Sequence, residues 1–344
     1  MIRSSVHKSV HKSQIFFYLI LSFLAGIALK IIGTFAAGFI LILGILLISV
    51  FWQNKKAVFV GFCLVTLVAG IFRANLPDIK LNINFNFLLE KANQSIEKIL
   101  PEPQASFLAG LLLGFDKNIP KDLLENFNTT GTRHIIALSG YNITIIASLI
   151  MGFLLWLGFW RKHAFVIAVI AIIFFVLLTG ASASASRAAI MGILVLISQQ
   201  AGRLSNPRNL LASAAFLMLL KEPTVLFNNI GWQLSFAATI GIIYLSPCLK
   251  RLPEILKTTL SAQITVMPLI LFYFRQISLI SPLANLLVLP IIPITMLVGF
   301  LAVVSGVLYT PIGTFLAWPA WLFLSYEIKI IELLAKIPLA GLRF

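Results

Sequence analysis

A chain of 344 residues that is 60% hydrophobic and only 11% charged, with a mean hydropathy of +1.01, lacks the polar surface of a water-soluble globule, whose residues are roughly one-quarter charged. At about 20 apolar residues per crossing plus a short loop, the length allows on the order of ten or eleven transmembrane helices. The net charge is +15, and because seven basic residues between Arg73 and Arg133 are matched by seven acidic ones, the whole excess lies in the membrane part and its short loops.

The N-terminal residues are basic and precede an apolar run at 16–32. A second run at 36–52 follows at once, so the pattern predicts an uncleaved first membrane helix rather than a signal peptide. The first three predicted spans are 14–32, 36–52 and 57–72. Arg3, Lys8 and Lys12 at one end and Lys55 and Lys56 at the other mark cytoplasmic turns, so the N-terminus is expected inside and residues 73–133 outside. Within that outer segment, 107–115 and 123–127 are too short to cross and read as interfacial helices. A fourth span runs over 134–160.

Beyond it, cationic turns recur at every second loop: Arg161 with Lys162, Arg203 with Arg208, then Lys250, Arg251 and Lys257. The implied spans are 163–179, 187–201, 209–220, 230–246, 258–274, 279–308 and 314–337, eleven in all, with the C-terminus outside. The stretch 279–308 is long and holds Pro282, Pro290 and Pro293, the mark of a kinked span or a re-entrant pair. The expected fold is therefore all-α and polytopic, with broken or re-entrant helices in the core. It divides into a three-span unit over 1–75, a short extracytoplasmic segment over 76–104 and a later helical domain over 105–344.

Polar groups at membrane depth are costly unless buried in protein or facing water, so they mark where function would sit. The densest segment is GTRHIIALSGYNITI at 131–145, where Arg133, His134, Ser139, Asn142 and Thr144 interrupt an apolar run. TGASASASRAAIM at 179–191 alternates small residues, including Ser182 and Ser184, and delivers Arg187; its backbone is expected to be unwound or closely packed. NNIGWQLSFAAT at 228–239 brings Gln233 and Ser235 into a span, and 268–290 holds Arg275, Gln276 and Asn285 among prolines. Each has a plainer reading: hydrogen-bonded helix glue for the small polar residues, interfacial anchoring for Arg187, a bare proline kink for the last.

A catalytic reading finds little support. His134 and Ser139 are five residues apart and fall on different helix faces, with no carboxylate near to orient the imidazole. His7, His11 and His163 lie at predicted cytoplasmic ends, and Glu222, Glu254, Glu327 and Glu332 are the only acids after Glu125. Cys63 and Cys248 sit in apolar runs and imply neither a disulfide nor a metal site. The sequence thus predicts a non-enzyme without metal or cofactor. Its basic excess fits both the positive-inside rule and attraction to a polyanion such as nucleic acid.

Four of these pieces occur in an order that resembles the competence domain of the ComEC family, the inner-membrane channel of bacterial natural transformation. They are HIIALSG at 134–140, Ser182 and Ser184 ahead of Arg187 and Ala188, GWQLSFAAT at 231–239, and Pro268 followed by FYFRQ and then ANLLVLP at 284–290. The likeness covers about 105–334. It implies a channel domain over 105–344 that passes single-stranded DNA through the bacterial plasma membrane, with Arg133, His134, Ser139, Asn142, Ser182, Ser184, Arg187, Gln233, Ser235, Arg275 and Asn285 lining or shaping the path. It also implies a separate cytoplasmic ATPase motor and separate receptor and nuclease proteins. This chain departs from the family pattern at Asn142, Ala183 and Asn229, where a histidine, a proline and an acid are usual, and no histidine and aspartate cluster for two metals occurs. A secondary transporter for a small anionic or lipidic solute shares broken helices and midplane polar groups, and a membrane scaffold with a vestigial channel is the third expectation.

Overall fold

The computed structural model describes residues 12–30, 34–79, 85–115, 119–136, 140–202, 205–338 and 340–343. In chain order the helices are α1 (Lys12–Ala28), α2 (Thr34–Val50), α3 (Lys55–Ala74), α4 (Asn86–Ile99), α5 (Gln104–Leu113), α6 (Lys121–Thr129), α7 (Arg133–Ile136), α8 (Gly140–Trp156) and α9 (Arg161–Leu178). There follow α10 (Ala183–Gln200), α11 (Pro207–Lys221), α12 (Val225–Asn228), α13 (Ile230–Tyr244), α14 (Glu254–Phe274), α15 (Ser281–Val288), α16 (Ile292–Leu308) and α17 (Thr310–Ala335). Two three-residue strands, β1 (Gln276–Ser278) and β2 (Gly341–Arg343), pair antiparallel with Ile277 opposite Leu342.

The chain forms two compact units: Met1–Leu81 with Ile197–Asn229, and Asn82–Leu196 with Ile230–Phe344. In the first, α3 packs on both α1 and α2, and α11 packs on α1. Asn54 and Asn206 cap the starts of α3 and α11 by accepting backbone N–H groups. The buried Arg73 near the end of α3 closes the carbonyl end of α11: Nε donates to Leu220 O at 2.6 Å and Nη2 to Lys221 O at 2.7 Å, while Nη1 reaches the carbonyls of Leu76 and Pro77. A cation at a helix C-terminus also complements the helix dipole.

In the second unit α16 and α17 form an antiparallel hairpin, and α4, α5 and α6 pack against it. All nine residues from Ala105 to Leu113 on α5 are buried. The interfacial reading of 107–115 is therefore corrected: an interfacial helix keeps a polar face, whereas QASFLAGLLL is apolar on every side and fills the core. Helix α6 is amphipathic, with Leu123 and Phe127 buried and Lys121, Asp122 and Glu125 exposed. Helix α4, unforeseen in the sequence, turns Leu89, Ile96 and Ile99 inward.

The expected span over 134–160 begins later, at Gly140, with Arg133–Ile136 forming a separate short helix. The segment 179–191 is helical from Ala183 onward; only the turn before it leaves the helix, with positive φ at Gly180 and Ala181, and the close packing is seen at Ala185 and Ala189. Helices α13 and α14 approach so closely at Gly241 that a Cβ there would overlap the Ser261 carbonyl oxygen. Gly241→Val should therefore force the pair apart and destabilise the fold by about 2–3 kcal/mol, seen as a lowered melting temperature of the purified protein.

Among the described residues, four helices are long and apolar enough to cross a membrane: Lys55–Ala74, Arg161–Leu178, Ile230–Cys248 and Glu254–Phe274. A fifth is counted if α15 and α16, bent by 50° across the Pro290 break, make one interrupted span. No more than 28% of each long helix is buried in protein, so most of the apolar surface is left for lipid.

Candidate functional site

The second unit brings together three stretches that are far apart in sequence. Arg187, on the second turn of α10, donates from Nε to Ser235 Oγ of α13 at 2.6 Å, and Ser235 Oγ donates to Ser184 Oγ, back on α10, at 3.3 Å. The guanidinium lies against the first residue of α8: a Cβ at Gly140 would sit 2.7 Å from Arg187 Nη2, so the bare Cα makes room for it. Met191 Sδ lies 3.6 Å from Nη1. Among the described residues no carboxylate pairs with Arg187. The guanidinium stands instead beside the starts of α8 and α10, whose partial positive ends are the wrong sign for a cation and the right sign for an anion.

The other expected site residues divide. Ser182 accepts the Ala185 N–H at 3.3 Å and caps the start of α10 beside this cluster. Gln233 accepts from Tyr273 Oη at 2.9 Å, tying α13 to α14. Asn142 turns away, donating to Leu111 O at 3.2 Å and holding α8 to the end of α5. Asn285 is buried on α15, its Oδ1 without a hydrogen-bond partner among the described residues. Ser139 lies outside the described residues.

Arg133, His134 and Arg275 belong to a second neighbourhood. Arg133 and His134 are exposed, reaching Asn128 Oδ1 at 3.3 Å and Gly131 O at 3.1 Å. Gly131 packs against the side chains of Ser278 and Ser281, and Gly341 against Thr129. Arg275 is exposed in the left-handed conformation (φ 51°) just ahead of β1. The loop at 129–134, the α14–α15 turn and β2 thus gather at one end of this unit.

Sequence reasoning missed Tyr273 as the partner of Gln233. It also missed the buried contact in which Thr295 Oγ1 donates to Glu327 Oε1 at 2.7 Å. An acid, Glu327, within the largely apolar helix α17 was the available signal.

Fold and site define an all-α membrane protein with an arginine and serine cluster in its helical interior. The profile of the Competence protein family matches residues 111–344. The chain is 30% identical over 218 residues to ComE operon protein 3 of Bacillus subtilis, covering 61% of this chain and 27% of that protein. An uncharacterized protein of Mycoplasma genitalium is 28% identical over 284 residues, 80% of this chain and 72% of its own length. One of Escherichia coli is 26% identical over 210 residues, 56% of this chain and 28% of its own. No solved structure matches. The chain belongs to the competence protein family. It spans about a quarter of the length of the Bacillus and Escherichia relatives.

Proposed function

We propose that the protein is a plasma-membrane channel that passes single-stranded DNA during natural transformation, conducting the strand rather than cleaving it. The observation that carries this reading is Arg187, a half-buried guanidinium without a carboxylate partner among the described residues, donating to Ser235 beside the starts of α8 and α10. A backbone phosphate satisfies both the charge and the helix ends. Exposed Arg133, His134 and Arg275 at one end of the unit suit the capture of a polyanion. Eleven crossings, with the N-terminus inside and the C-terminus outside, put residues 131–134, the α14–α15 turn and β2 on one face, in keeping with their association in the structure. Motive force and degradation of the second strand fall to other proteins, a cytoplasmic ATPase and a nuclease.

The test is a clean deletion complemented with wild type, Arg187→Ala or Arg187→Lys, scoring surface-bound and internalised DNA separately. Arg187→Ala should lower internalisation by at least about tenfold, as loss of a charge-assisted contact of about 1.5–3 kcal/mol requires, with surface binding unchanged and the lysine variant in between. Wild-type transformation by the alanine variant removes Arg187 from the mechanism. Normal DNA import in the deletion strain would leave the membrane scaffold with a vestigial channel as the better reading.

A further inference from the structure

Glu327 takes no part in the cluster around Arg187. Its side chain on α17 is fully buried, at 0% exposure. Thr295 of α16 donates to Oε1, while Oε2 is buried and has no hydrogen-bond partner among the described residues. The helices packed against α17 supply no counter-charge. Helices α5, α15 and α16 carry no charged residue. On α4, Glu90, Lys91, Glu97 and Lys98 are exposed, as are Lys121, Asp122 and Glu125 on α6 and Lys329 and Glu332 on α17 itself. Glu102, in the turn ahead of α5, is exposed and occupied by Ser106.

An ionised carboxylate stripped of both water and cation costs several kcal/mol even after the surroundings relax, whereas a neutral acid is far cheaper to bury. With the threonine hydroxyl donating to Oε1, that oxygen is the carbonyl of the acid and the proton belongs on Oε2. One donor and one carboxyl are also too few oxygens for a metal cation, which takes about six. The ligand that fits this site is a proton.

We propose that Glu327 is a proton-binding site between α16 and α17. While Oε2 carries its proton the helix contact is closed; when the O–H bond breaks, the proton passes to entering water, the carboxylate is hydrated, and the two helices part. The proposal stands apart from the nucleic-acid reading and is tested without DNA.

Two measurements on the full chain in lipid nanodiscs decide it. The first is the infrared difference between wild type and Glu327→Gln at neutral pH. It should show a protonated-carboxyl band that the glutamine variant lacks, and Thr295→Val should move that band to higher frequency as the carbonyl loses its donor. The second places a reporter thiol by Ala320→Cys, at a fully buried position two turns before Glu327 on the same face of α17, with Cys63 and Cys248 replaced by serine. Its rate of methanethiosulfonate labelling, taken relative to the same chain carrying Glu327→Gln, should rise with pH, by up to about tenfold per pH unit, the limit for linkage to one proton. The ratio cancels the ionisation of the thiol itself, and the near-isosteric glutamine guards against simple misfolding. No protonated band at neutral pH, a band indifferent to Thr295→Val, or a ratio that stays flat would each overturn the proposal.

Discussion

Replacing Arg73 with methionine should be among the most destabilising single changes in the chain, at about 3 kcal/mol or more. The guanidinium forks across carbonyls from two segments far apart in sequence, and Leu220 and Lys221 at the end of α11 lose their short contacts together. Hydrogen bonds to charged groups are worth about 1.5–3 kcal/mol each, and they do not add independently. Arg73→Lys should recover little, because an ammonium cannot span the fork. The check is the melting temperature of the purified variants; a wild-type value for Arg73→Met would show that the carbonyls are as well served without it.

Phe107→Ala should cost a similar amount, about 3–5 kcal/mol, as expected for a large side chain deleted from a core. Phe107 is fully buried on α5 and meets the Phe127 ring with centroids 5.2 Å apart. Truncating it opens a cavity where α5, α6 and α7 converge. Phe39→Ala on α2, where the ring is 74% exposed to the surroundings, serves as the control and should leave the melting temperature nearly unchanged.

Helices flanked by cationic turns were legible in the sequence to within a few residues. The run expected at 163–179 is the helix Arg161–Leu178, and that expected at 230–246 is Ile230–Tyr244. The break in 279–308 was legible from Pro290, because a proline removes a ladder donor and clashes with the preceding turn. Helix α5 was misplaced because a ten-residue apolar run has the same hydropathy whether it lies on a bilayer or inside a core; only its neighbours decide. Helix α4 escaped notice because its inward residues are few and set among charges. At the candidate site, the residue types were legible but their company was not. Arg187 and Ser235 are 48 residues apart, and nothing local indicates that Asn142 turns instead toward Leu111.

The interleaving of the two units bears on how the polypeptide is made. Arg73 leaves the ribosome 147 and 148 residues ahead of the α11 carbonyls that receive it, so α1–α3 must wait for these partners until α4–α10 have been made. Translation arrested in that interval leaves an incomplete helix set. Such nascent chains should be preferred targets for membrane quality-control proteases, and pulse-labelled truncations ending on either side of Lys221 should differ sharply in half-life.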